Sequence, residues 1–239
     1  MCIRDRIYTA LNLLNEPNRK IITVEDPIEY QLEGINQIQA KSSIGLTFAS
    51  ALRSIVRQDP DVIMVGEMRD LETAEICVKS ALTGHLVLST LHTNDAASSI
   101  TRLIEMRVED YLLTSTLNAV LAQRLVRVLC EHCKEEVNAP QKFIQDCHDN
   151  NISIQQDEKI YIAKGCSKCG GTGYVGRTCI VELLILNDEM KKKILAKADA
   201  ADLQRSAVAA GMKTMHQDGL SKVLQGVTTI EEVTRITKE

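Results

Sequence analysis

Glu67 and His92 are the first residues to weigh, because each closes an apolar run. Val62-Ile63-Met64-Val65 ends in Gly66 and Glu67, and Leu86-Val87-Leu88 ends in the polar cluster Ser89-Thr90-Leu91-His92-Thr93-Asn94. Short runs of this kind read as buried parallel strands, whose C-terminal tips line the crevice where α/β proteins hold ligands. A carboxylate at such a tip can hold water on Mg²⁺ or orient an attacking water. A histidine at the next tip can donate to a terminal phosphate. His85, at the start of the same run as His92, is the second histidine candidate. The duller readings are a solvated carboxylate and structural histidines. Arg69 either reaches a phosphate or pairs with Asp70. A third tip carries Glu25, Asp26 and Glu29 after Ile21-Ile22-Thr23-Val24. Carboxylates this close repel unless a cation sits among them, and a nucleotide-bound divalent metal would supply it. A charged turn around Pro27 is the alternative. No glycine-rich phosphate loop occurs anywhere in the sequence.

Eight cysteines need a second explanation. Cys130-Glu131-His132-Cys133 and Cys166-Ser167-Lys168-Cys169 are two C-x₂-C knuckles that together offer four thiolates for tetrahedral Zn²⁺, with glycines 165, 170, 171 and 173 for the turns. Such a site is structural, since no coordination position stays open. A redox dithiol and an iron–sulfur cluster are the alternatives. The spacer, residues 134–165, is longer than in common zinc ribbons, so a small subdomain is expected between the knuckles. Cys77 and Cys179 read as buried small hydrophobes. The remaining two, Cys2 and Cys147, are scattered.

The elements that must position these residues follow from periodicity. Helices are expected over 7–14, 47–56, 71–82 and 95–106, with strands at 21–24, 62–65 and 86–89 between them. One long helix is expected over 111–129, its stripe formed by Leu112, Leu113, Leu117, Val120, Leu121 and Leu125. Arg124 and Arg127 near its end read as a solvated face, with an interface role as the alternative. A strand-like stretch follows at 178–186, then helices over 188–239. Alternating strands and helices imply a parallel sheet with right-handed crossovers. The expected boundaries are 1–6 outside the fold and an artefact, 7–129 the α/β core, 130–179 the tetracysteine subdomain, and 180–239 a strand with a helical bundle.

Composition narrows the classes further. The net charge is −4, and two Phe, five Tyr and no Trp leave few stacking platforms. A nucleic-acid binder is therefore disfavoured. No apolar run approaches a membrane span and no secretory h-region is present, so a soluble chain in the reducing cytoplasm is expected.

Taken together, the motifs resemble one family: the C-terminal ATPase domain of the motor ATPases of type II secretion and type IV pilus assembly. The stretches that carry the resemblance are ITVEDPIEY (the aspartate box), DPDVIMVGEMRD (an unusual Walker B motif), TGHLVLSTLHTND (the histidine box), the tetracysteine element and the closing VTTIEEVTRITKE. The resemblance covers essentially 7–239. It implies a RecA-like P-loop NTPase core, incomplete at its N-terminus, in a homo-hexameric ring. It implies ATP hydrolysis with Mg²⁺ that drives an inner-membrane platform protein to add pilin-like subunits, and a cytoplasmic place at the inner membrane held through partners. It gives Glu67 the part of the water-activating glutamate and Glu29 that of the aspartate-box glutamate near Mg²⁺ and the γ-phosphate. It makes His85 and His92 the histidine-box pair. Glu25, Asp26 and Arg69 stand beside the nucleotide, and Cys130, Cys133, Cys166 and Cys169 are Zn²⁺ ligands. The zinc element points to assembly or secretion motors rather than retraction motors. The family's GxxxxGK[ST] loop would end just before Ile7, where the sequence reads MCIRDR. The chain is therefore expected to be a fragment without appreciable turnover alone, its N-terminal domains missing. A non-hydrolysing, zinc-stabilised interaction module is the alternative.

Overall fold

A computed structural model describes residues 3–237. Its centre is a four-stranded, all-parallel sheet. After helix α1 (Ile3–Leu14) come β1 (Ile21–Glu25), β2 (Asn36–Gln39), α2 (Phe48–Ile55), β3 (Val62–Val65), α3 (Leu71–Leu82) and β4 (Leu86–Ser89), with strand order β2-β1-β3-β4. The register sets Val24 beside Val65 and Val65 beside Ser89, so three strands end level. β1 and β3 are buried along their whole length because helices cover both faces. Alternate residues divide between two cores. Ile22, Val24, Ile63 and Val65 meet Ala51, Leu52 and Ile55 of α2 and Cys77 of α3. Ile21, Val62 and Met64 meet Tyr8 and Leu11 of α1. The period-two alternation of side chains thus fixes which strand residues face α1.

Two sequence expectations change here. Residues Ile3–Arg6 lie in the first turns of α1, where Thr9 Oγ1 donates to Asp5 O at 2.8 Å. The expectation for Met1 and Cys2 falls outside the described residues. β2 was not expected at all: Asn36-Gln37-Ile38-Gln39 has one apolar residue, as an edge strand with a partly wet face can.

Beyond β4, α4 (Ala96–Glu105) and α5 (Asp110–Thr116) follow, capped at the start of α4 by Asp95, whose Oδ1 accepts the Ser98 N–H at 2.7 Å. The long helix over 111–129 is a correction. α5 stops at Thr116, Leu117 turns to extended backbone (ψ 118°), and Ala119–Leu129 is strand β5. A Leu- and Val-rich stretch satisfies both periods, and the neighbouring strand decides. That strand is β8 (Tyr174–Ile185). Between them lie β6 (Glu135–Asn138), α6 (Gln141–Asp149) and β7 (Lys159–Ile162), with β6 and β7 antiparallel. These three elements fill the spacer between the knuckles. The chain ends in α7 (Asp188–Leu195), α8 (Ala200–Ala209), α9 (Met215–Leu224) and α10 (Ile230–Thr237).

The chain divides into two compact units. One holds the parallel sheet up to Val120, with Ile185–Ala207. The other holds Leu121–Leu184 and the chain from Val208 onward. In the second, Phe143, Cys147 and Ile160 share a core with Leu220, Val223 and Val233. Arg127 there is half exposed, as a solvated face would be, yet it is paired: its backbone N–H and its Nη2 donate to the two oxygens of Glu232 at 3.0 and 2.7 Å. Its guanidinium also lies 4.1 Å from the Tyr174 ring centroid.

Candidate functional site

The strand tips converge where the sequence placed them. Gly66 N–H donates to Val24 O at 2.8 Å, and a Cβ on Gly66 would stand 3.4 Å from Glu25 Cα and from Val24 O. A Cβ there would be in ordinary van der Waals contact with the β1 tip, so β3 runs close beside Glu25. On the other side, Thr90 Oγ1 donates to Gly66 O at 2.6 Å and Met68 N–H donates to Thr90 O at 3.0 Å. These two bonds extend the β3–β4 pairing past the strand ends and bring His92 to Glu67.

Glu67 is only 6% exposed. Its Oε2 meets Arg69 Nε at 2.7 Å and His92 Nε2 at 3.1 Å. The two partners are open to solvent, with side chains 69% and 81% exposed. Burial disfavours the charged carboxylate, but hydrogen bonds and charge from Arg69 and His92 outweigh it and hold Glu67 below the usual carboxylate range. The site thus presents an ionised, sheltered carboxylate behind two mobile-length side chains. Asp70 does not compete for Arg69 in this arrangement: its Oδ1 caps α3 by accepting the Thr73 N–H at 2.8 Å.

The three carboxylates of the β1 tip separate into two kinds. Glu25 is buried and faces α1, where Tyr8 Oη donates to its Oε2. Its Oε1 accepts from Thr23 Oγ1 at 2.6 Å and Gln37 Nε2 at 3.1 Å. Asp26 and Glu29 are exposed. Glu25 is thus an interior group with its hydrogen bonds made, whereas Asp26 and Glu29 lie exposed just beyond the strand end. His85 is not brought to Glu67. It precedes β4, at the opposite end of that strand, with Nδ1 2.8 Å from Ser80 O and 3.2 Å from Thr83 Oγ1 at the end of α3.

Sequence reasoning missed Tyr8, Thr23, Gln37 and Thr90. Tyr8 carried a signal, as the one aromatic residue inside the apolar stripe of α1. Gln37 carried none, because its strand has no pattern.

The four knuckle cysteines do meet. The Sγ atoms of Cys130, Cys133, Cys166 and Cys169 all lie within 4.8 Å of one another. Cys130–Cys166 is 4.0 Å, while Cys133–Cys169 and Cys166–Cys169 are both 3.8 Å. A tetrahedron with zinc–sulfur bonds of about 2.3 Å needs sulfurs about 3.8 Å apart. None of the four is in a disulfide. Backbone N–H groups of Cys166 and Gly173 donate to Cys169 Sγ at 3.1 and 3.2 Å and hold its thiol down to about 6. Gly165 and Gly173 are forced: both have positive φ, and a Cβ would come within 2.4 Å of Gly171 O and 2.7 Å of Ala163 Cβ respectively. The donor set and spacing can hold one thiophilic metal ion.

A parallel α/β sheet with carboxylates and a histidine at its strand tips, in one chain with a four-cysteine cluster, is the class that fold and sites define. The chain belongs to the type II/IV secretion system protein family, whose model matches residues 6–235. It is 57% identical to type II secretion system protein E of Xanthomonas campestris pv. campestris over 98% of this chain and 41% of that protein. It is 50% identical to the type IV pilus assembly ATPase PilB of Thermus thermophilus, over 95% of this chain and 25% of that protein. The chain thus spans less than half the length of these curated relatives. Among solved structures it resembles the pilus retraction motor PilT with bound ADP, with a TM-score of 0.70 and 30% identity over 98% of this chain and 57% of that one. The Legionella pneumophila ATPase DotB has the same fold, with a TM-score of 0.68 at 23% identity over 99% of this chain and 57% of that one. Among the described residues no helix is long and apolar enough to cross a membrane.

Proposed function

We propose that the protein is an ATP-hydrolysing motor of type II secretion or type IV pilus assembly. The observation that carries this reading is Glu67: a buried carboxylate at the tip of β3, kept ionised by Arg69 and His92 and bordered by the β1 tip. An ionised carboxylate sheltered from bulk water can orient and polarise a water molecule for attack on a phosphate. Asp26 and Glu29 would face the Mg²⁺ that accompanies ATP, and Mg²⁺ would neutralise charge developing on the phosphates. Arg69 and His92 are long enough and exposed enough to leave Glu67 for a phosphate oxygen. His85 would act structurally, holding the last turn of α3 to β4.

The core is proposed to be RecA-like. Among the described residues β4 has an open outer edge, and its residues are more exposed than those of β3. A phosphate-loop strand ahead of α1 would pair there. The names of the relatives support the activity and the two machines. A homo-hexamer working on an inner-membrane platform protein from the cytoplasmic side completes the proposal, with no nucleic-acid partner. Cys130, Cys133, Cys166 and Cys169 would hold Zn²⁺ as a structural ion, which favours an assembly or secretion motor. The proposed division is a core over 7–129, a zinc subdomain over 130–179 and a C-terminal helical part.

The test is phosphate release from ATP by the full-length protein. Mg²⁺-dependent turnover is expected. A full-length protein that binds ATP and releases no phosphate with its secretion or pilus partners present contradicts the reading.

A further inference from the structure

We propose that Tyr8 is a positioning residue for the strand-tip carboxylates. The proposal rests on the ATPase reading for its functional meaning, but its geometry stands alone. Tyr8 is fully buried in the face of α1 turned to the sheet. Its hydroxyl donates to Glu25 Oε2 and accepts the backbone N–H of Glu29 at 3.2 Å. Its ring stacks on Tyr30, with centroids 4.3 Å apart and planes 26° apart. One side chain thus ties a helix, a strand end and the loop that carries Asp26 and Glu29.

Gln37 forms the second brace of the same loop. Its Nε2 donates to Glu25 Oε1 and, at 3.3 Å, to Tyr30 O, while its Oε1 accepts the Leu32 N–H at 2.7 Å. The loop after β1 is therefore held at Glu29, Tyr30 and Leu32 by two side chains that both end on Glu25. Glu25 is the hub, and its buried carboxyl oxygens need these donors, because an unpartnered polar group would be costly there. Burial and the bond to Glu25 push the Tyr8 phenol up to about 12, so it remains a donor at physiological pH. A shift of α1 would move the Tyr8 hydroxyl, and with it the main chain at Glu29. A displacement of the order of 1 Å at a catalytic group can cost about a hundredfold in rate.

Tyr8→Phe removes the hydroxyl and keeps the ring, the stack and the burial. In the 239-residue chain, hydrogen exchange should show the Glu29 amide protected in the wild type and roughly tenfold faster in Tyr8→Phe, with Val24 and Val65 unchanged. In the full-length protein, kcat should fall by roughly tenfold to a hundredfold and the Mg²⁺ requirement should rise, while ATP affinity stays within about threefold. A Glu29 amide that exchanges freely in the wild type overturns the proposal and needs no variant to fold. An unchanged Glu29 amide in Tyr8→Phe, or an unchanged kcat, overturns it as well. Absence of turnover in the wild-type full-length protein would instead strike the ATPase reading and leave the exchange result standing.

Discussion

The strand-tip site and the cysteine centre solve opposite problems. At the tips, one buried carboxylate is flanked by two exposed side chains, so the groups around Glu67 can exchange partners. In the cysteine centre, all four sulfurs point at one another, and glycines that tolerate no Cβ lock the turns behind them. The first arrangement suits a group that must meet water and phosphate in turn. The second suits an ion that never leaves. Openness around a charged group marks chemistry, while closure around a ligand set marks architecture.

The largest effect that would break this contrast comes from the metal. Metal analysis should find one zinc per chain. Its removal, or Cys130→Ser with Cys166→Ser, should cost on the order of 10 kcal/mol of metal-coupled folding free energy. Hydrogen exchange should then show protection lost across β6, α6 and β7 and kept in β1 and β3. Well under one zinc per chain, with β6–β7 still protected, would remove the closed half of the contrast.

Next in size is Glu232, a buried carboxylate in the same compact unit as the cysteines, which meets two arginines. Burial alone would raise its pKa, but Arg127 and Arg235 draw it to about 2, from an ordinary value of 4.5. The sign follows: the depressed folded value contributes stability that is complete above about pH 4.5 and is lost as pH falls toward about 2. Arg127 is half exposed, which screens the pair, so about 1–3 kcal/mol is expected at neutral pH. Urea unfolding of wild type and Glu232→Gln should differ by that amount at pH 7, and the gap should narrow steadily below pH 4.5. A gap independent of pH would show that charge plays no part.

The smallest effect sharpens the open half. Arg69→Ala should change stability by less than about 1 kcal/mol, because the arginine is solvent-exposed. It should nevertheless raise the Glu67 pKa, since the strongest partner opposing burial is gone. A carbon-13 titration of the Glu67 carboxyl reads this, and an unmoved pKa would mean that His92 alone holds the charge.

The sequence revealed the two sites to different depths, for a physical reason. The cysteine centre was legible in its spacing: two knuckles with glycines beside them can offer four thiols to one ion, and the four sulfurs do converge. The strand tips were legible as tips, because buried parallel strands are short apolar runs. Their internal division was not legible. Glu25, Asp26 and Glu29 look alike in a row, and only packing against α1 makes Glu25 an interior group. His85 and His92 likewise bracket one strand, and only the sheet shows that a single one reaches Glu67. β5 was misread because leucine and valine at mixed spacing fit a helix until a neighbouring strand competes. β2 was missed because its edge position demands little apolar surface.

The measurement that bears most directly on the central claim compares ATP binding and ATP turnover in the full-length protein and its Glu67→Gln variant. The side chain keeps its size and loses its charge. Nucleotide affinity should stay within about threefold while turnover falls by roughly a hundredfold to ten-thousandfold. Turnover that survives the substitution would mean that Glu67 does not activate water, and that the open strand-tip site is not where hydrolysis occurs.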